Sequence, residues 1–147
     1  MSRLKEGDLA PDFTLTDDSG QVITLSALRD KPVVLFFYPK DDTPGCTIEC
    51  KEFRDSRSDF LQRAHVLGIS PDDVTSHKAF RDKYALNFPL LSDPEHRVAS
   101  QFGVWGLKKG NVEGVHRATF ILRDRRVVRV FSEVKPQGHA AEVLAAL

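Results

Sequence analysis

Three observations predict an α/β fold in which a mixed sheet is flanked by helices and preceded by a β-hairpin. Continuous apolar runs, as found in strands buried on both faces, alternate with stretches of helical periodicity. Alternating segments around short polar turns stand near both ends of the chain, so hairpins accompany the crossover units. The resulting order, ββ, βαβα, βα, ββα, lies close to the thioredoxin-like class.

Each element has its own warrant. "DFTLTDDSGQVITL" brackets Asp-Ser-Gly with alternating residues and predicts the hairpin over 12–25. "PVVLFFY" (32–38), closed by Pro32 and Pro39, predicts a strand buried on both faces. Helical spacing over 46–63 is followed by "HVLGIS" (65–70), a second buried strand, and then by a helix over 73–85 that Asp72 or Asp73 is placed to cap. The short apolar piece "FPLLSD" precedes a helix from Glu95 to Phe102. "HRATFIL" and "VVRVFSEV" flank the charged turn "RDRR" as a second hairpin, and "GHAAEVLAAL" closes the chain as a helix. Phe102 and Trp105 are read as packing residues, and "LKKGNVEG" as a mobile loop.

The 147 residues, 41% of them hydrophobic, show no break in character and no repeat, which fits one domain spanning 1–147 with an ordinary core. Lys plus Arg (21) balances Asp plus Glu (21), so the net charge points to no nucleic-acid or membrane partner. "MSRLKEGDLAPDF" lacks a signal-peptide core, and no apolar run approaches the roughly 20 residues of a membrane span. The expected location is the cytoplasm, where a close cysteine pair is more often catalytic or metal-binding than structural.

Both cysteines lie in "DDTPGCTIEC" (41–50). The five histidines are dispersed and supply no second ligand pair, so a zinc site is not expected. Cys46 follows a buried strand and falls in the first turn of the next helix, where unpaired N–H groups carry partial positive charge. Such positions lower a thiol pKa from near 8.5 to roughly 3.5–7.5. Ionisation by itself gives only about 30-fold more thiolate at neutral pH, so the electrophile must also be positioned. Thr43, three residues before Cys46, can point its hydroxyl into the same pocket. Pro39 and Pro44 stiffen the loop, and Gly45 permits close backbone approach. Arg117, opening the apolar strand in "GVHRATF", is the candidate fixed cation.

"FFYPKDDTPGCT", with Pro39, Thr43 and Cys46 at that spacing, and "HRATFIL" some seventy residues later, resemble the peroxiredoxins, more narrowly the bacterioferritin comigratory protein or peroxiredoxin Q branch. The resemblance runs from "GDLAPDFTL" through "FPLLSD" and "FGVWG" to "KPQGHAAEVLAAL". It implies a decorated thioredoxin fold and a peroxidase acting on hydrogen peroxide or organic hydroperoxides without a metal or organic cofactor. Cys46 would be the peroxidatic thiol, Thr43 and Arg117 would bind peroxide, Pro39 would shield the site, and Glu49 would help hold the arginine, although a solvated first-turn glutamate is the competing reading. Thioredoxin or another dithiol is the implied reductant, and a monomer or weak homodimer the implied assembly.

The departure is at the second thiol. Many members of the branch carry a resolving cysteine five residues after the first, but here that position is Lys51 and Cys50 precedes it. At 100° per residue Cys50 lies 40° from Cys46, on one stripe with Phe53, Phe60, Leu61 and Ala64. Cys50 is therefore either a resolver reached by unwinding the first turn or a small buried residue in a one-cysteine cycle with an outside thiol. A general disulfide oxidoreductase and a redox-responsive chaperone remain weaker alternatives, the first because its cysteines usually stand three apart.

Overall fold

The computed structural model describes residues 3–60, 63–132 and 134–147. Its strands are β1 (Thr14–Asp17), β2 (Val22–Thr24), β3 (Val33–Phe37), β4 (His65–Ser70), β5 (Leu90–Ser92), β6 (Trp105–Lys108), β7 (Val112–Val115), β8 (Ala118–Arg123) and β9 (Arg126–Phe131). The helices are α1 (Pro44–Asp55), α2 (Arg57–Phe60), α3 (Val74–Tyr84), α4 (Arg97–Gln101) and α5 (His139–Ala145).

Seven strands form one sheet in the order β2-β1-β5-β4-β3-β8-β9. β3 runs parallel to β4 and antiparallel to β8, while β4 and β5 are parallel and both hairpin partners are antiparallel, so the sheet is mixed as predicted. β3 is wholly buried, and its residues alternate between two cores. Leu35 and Phe37 join Phe13, Phe102 and Phe120 on one face. Phe36 and Tyr38 join Cys46, Cys50, Phe53, Phe60 and Phe88 on the other. The Phe53 ring lies flat on Phe36, centroids 4.5 Å apart, and pins α1 to the sheet.

Several boundaries differ from the sequence reading. The helix expected over 46–63 begins earlier, at Pro44, because a proline at the first helical position loses no hydrogen bond. It ends at Asp55, where Ser56 turns out of helical geometry within the poor helix-forming run Asp-Ser-Arg-Ser-Asp. The separate turn of α2 follows. Phe53, Phe60 and Ala64 still reach one core, whereas Leu61 falls outside the described residues.

"FPLLSD" supplies β5, and the α4 helix is shorter than 95–102. Asp73, rather than Asp72, caps α3 by accepting the Ser76 N–H at 2.8 Å. "LKKGNVEG" is not a loop alone. Gly110 and Asn111 both take positive φ and close the tight β6–β7 hairpin. Trp105 and Phe102 pack as expected, Trp105 by stacking on His96 at 3.7 Å. Among the described residues no helix is long and apolar enough to cross a membrane.

Candidate active site

α1 starts at the carboxyl end of β3, after the loop of residues 38–43. That loop is held from behind. The Tyr38 hydroxyl donates to Asp41 (2.7 Å), whose other carboxylate oxygen receives the Ser76 hydroxyl (2.8 Å) and faces His77 Nδ1 (2.8 Å). The Asp41 N–H donates to Asp72, and Asp42 is held by Lys83 and Tyr84. The sequence reading missed this network. Its signal was a histidine on the apolar side of a predicted helix and an acidic pair directly after Lys40. Asp41, Asp72 and His77 bring ligand atoms within 4.8 Å of one another, but these atoms already hydrogen-bond within the network, which makes it a brace rather than a metal site.

Thr43 occupies the cap position of α1 with extended backbone, and its hydroxyl donates to the Lys40 carbonyl at 2.8 Å. Pro39 is half-buried. The Thr47 N–H closes the first turn onto the Thr43 carbonyl, leaving the Gly45 and Cys46 N–H groups outside the helical ladder. Cys46 sits in that first turn, wholly buried, with the Arg117 Nη2 donating to its sulfur at 3.5 Å.

Arg117 lies one residue before β8, the strand next to β3, and its guanidinium reaches across the start of α1. Its Nη1 donates to Glu49 Oε1 at 2.6 Å. The arginine side chain is 17% exposed and the glutamate 0%, so the solvated reading of Glu49 is corrected: it is the buried anchor of the guanidinium. Burial pushes the Glu49 carboxyl from 4.5 to about 7, with Arg117 pulling the other way. Burial also works against the charge of Arg117, but Glu49 and the Cys46 sulfur together raise its pKa. Glu49 Oε2 is buried without a partner.

Gly45 is required by this approach. A Cβ there would stand 3.0 Å from Arg117 Nη2 and 3.3 Å from Pro136 Cγ. The segment carrying Pro136 is tied back to α1 by the Gly138 N–H donating to Glu52 at 2.7 Å.

Cys50 is also a free, wholly buried thiol, one turn beyond Cys46 on the same apolar stripe. Burial, then the negative charge of Glu49, drives its pKa well above the ordinary thiol value. The structure thus gathers Cys46, Arg117, Glu49 and Gly45 into one constellation, keeps Thr43 at the cap of the same helix with its hydroxyl on the Lys40 carbonyl, and places Cys50 one turn on in the core.

A thiol under a fixed guanidinium, at the start of a helix and beyond a Pro-x-x-x-Thr loop, is suited to attack a small polar electrophile. The profile of the AhpC/TSA family matches residues 7–131. The chain belongs to the AhpC/TSA family. Within it the peroxiredoxin is 42% identical to Peroxiredoxin Bcp of Bacillus subtilis, over 96% of this chain and 93% of that protein. It is 41% identical to Peroxiredoxin Bcp of Escherichia coli K12, over 98% and 96%. The crystal structure of peroxidoxin BcpB from Mycobacterium tuberculosis superposes with a TM-score of 0.89 at 43% identity, covering 97% of this chain and 96% of that one. These relatives place the peroxiredoxin in the Bcp/peroxiredoxin Q branch with its thioredoxin-like fold. It is a thiol-dependent peroxidase, acting on peroxides with a thiol reductant.

Proposed function

We propose that Cys46 is the peroxidatic thiol and that Arg117, Thr43 and the Gly45–Cys46 N–H groups hold the peroxide. The observation that carries this is the Arg117 Nη2 at 3.5 Å from Cys46 Sγ, locked there by Glu49. The Cys46 sulfur bonds one peroxide oxygen while the O–O bond breaks. The leaving oxygen departs with the bonding pair and takes a proton, giving water or alcohol and a sulfenic acid on Cys46. Arg117 stabilises the charge developing on the peroxide oxygens, the Thr43 hydroxyl fixes their orientation, and half-buried Pro39 shields the sulfur.

Cys50 then resolves the sulfenic acid, losing water to form the 46–50 disulfide once the first turns of α1 unwind. A dithiol such as thioredoxin restores both thiols by exchange. The proposal extends to a single-domain cytoplasmic enzyme acting as a monomer or weak dimer on hydrogen peroxide and alkyl hydroperoxides. A structural relative from Xanthomonas campestris, 38% identical with a TM-score of 0.87, was described for its alkyl peroxide reduction activity. The burial of Cys50 favours a second reading, in which an outside thiol attacks the sulfenic acid and Cys50 is a core residue.

The test is peroxide consumption with a thioredoxin system, alongside dimedone trapping. Cys46→Ser should abolish both turnover and the adduct. A folded Cys46→Ser protein that still turns over peroxide refutes the assignment.

A further inference from the structure

Against Arg117, on the side formed by the chain entering β8 and leaving β9, lies a cavity of about 340 Å³ lined by Arg3, His116, Arg117, Ser132 and Val134. Its size is at the lower end for small-molecule sites. Its lining is unusual in charge: two arginines, a histidine and a serine, with no carboxylate among the described lining residues. Arg117 is already committed to Glu49 and the Cys46 sulfur. Arg3 is not committed. Among the described residues it makes no hydrogen bond or ion pair, although Glu6 lies with it along the neighbouring hollow. The His116 imidazole, lying over Gly106 at β6, also has no hydrogen-bond partner among the described residues.

We propose that this cavity is a specificity site for an anionic group, a carboxylate, carried on the organic part of a hydroperoxide, with Arg3 and His116 as its recognising residues. The inference rests on the peroxidase assignment of Cys46 and extends it to the substrate. Arg117 is the shared wall: it touches the reacting sulfur and lines the cavity. Cys46 itself does not line the cavity, so a substrate whose peroxide group reaches the sulfur would have to pass Arg117 to seat its remainder there. A carboxylate suits the unpaired Arg3 guanidinium, a planar fork of donors, and Ser132 and His116 offer further polar contacts. Val134 supplies an apolar wall for the carbon body between the two ends. Hydrogen peroxide has no such body and is blind to the cavity, so the site sets preference among organic substrates rather than the rate of the chemistry itself.

The test uses cumene hydroperoxide and its 4-carboxylate, which share the reacting group and differ in the anion. The first oxidation of Cys46 is followed alone, without reductant, at low ionic strength. The wild type should oxidise about 10-fold faster with the carboxylate than with the neutral compound, a ratio that shrinks on adding salt. Arg3→Gln and His116→Gln should each bring the ratio most of the way to one while leaving the rate with hydrogen peroxide unchanged. Equal wild-type rates for the two organic hydroperoxides overturn the proposal, and so does a preference that both variants retain. If Arg3 and His116 change only the later reduction by a carboxylate-bearing thiol such as glutathione, the anionic ligand is the reductant and the substrate proposal fails. Loss of reaction with hydrogen peroxide in the wild type would instead count against the peroxidase assignment.

Discussion

Replacing Glu49 with glutamine should remove a specific slope from the pH dependence of folding. The wild-type carboxyl is wholly buried, receives Arg117 Nη1 on Oε1, and has no partner on Oε2. Burial carries its folded pKa from 4.5 to about 7. An acid whose folded pKa is raised binds more protons in the folded state. Stability is therefore highest below the unfolded pKa and is lost as pH rises toward the folded one. Ionising this carboxyl in place costs about 3 kcal/mol, most of which falls between about pH 5 and pH 8. Glutamine keeps an acceptor for Arg117 but leaves its amide nitrogen where Oε2 had no partner, so the variant carries an offset at every pH. That offset does not titrate. The informative quantity is the change between the two pH values, read from urea unfolding of the reduced proteins. From pH 5 to pH 8 the wild type should lose roughly 2 to 3 kcal/mol relative to Glu49→Gln. A relative stability constant within about 0.5 kcal/mol over that range would refute the reasoning and show that Arg117 fully offsets the burial of the charge.

Three further outcomes follow from the same geometry. Gly45→Ala should push the guanidinium away from the sulfur by a few tenths of an ångström, since the new Cβ starts 3.0 Å from Nη2; stopped-flow fluorescence should find the first oxidation about 10-fold slower with folding intact. Thr43→Val and Arg117→Ala should each slow sulfenic acid formation by about 10²-fold or more, measured by dimedone trapping. Arg117→Ala should also lower stability, because it strands Glu49 in the core. Cys50→Ser should leave the first oxidation nearly intact but let the sulfenic acid persist and overoxidise at lower peroxide doses. Mass spectrometry that finds Cys50 free in peroxide-treated wild type would favour the outside-thiol cycle.

The fold was legible wherever hydrophobic periodicity was strong. β3 and β4 stood out because strands covered on both faces read as unbroken apolar runs. The break between α1 and α2 was hidden because Phe60 and Ala64 stay in phase with Phe53 across it, so burial continues where the helix does not. The β6–β7 hairpin was concealed by its composition. Lys108, Lys109 and Glu113 suggest a solvated loop, whereas the Gly-Asn pair at 110–111, with positive φ, is the feature that brings the strands together. The buried Asp41–His77 brace is of another kind, since it joins residues 36 positions apart and leaves no local period to detect.

The candidate site was legible to the extent that its parts lie close in sequence. Thr43, Gly45, Cys46 and Glu49 fall within one loop and two helical turns, so spacing alone places them on one end of a helix. Arg117 comes from a different strand, and only the adjacency of β8 to β3 brings it over the sulfur. The second thiol shows what spacing leaves out. One residue further along, Lys51 is exposed, and a cysteine there would be free to leave the helix with little loss of packing. Cys50 instead rotates back into the stripe of Cys46 and Phe53, fully buried and strongly protonated. Nearness to Cys46 along the helix therefore comes with a barrier. To attack a sulfenic acid, Cys50 must leave the core and gain water before its thiolate can form, and Phe53 on Phe36 resists that motion. If Cys50 does resolve, the folded, peroxide-binding state should outlive the first oxidation for longer than it would with a surface thiol, and that lifetime decides between a disulfide and overoxidation.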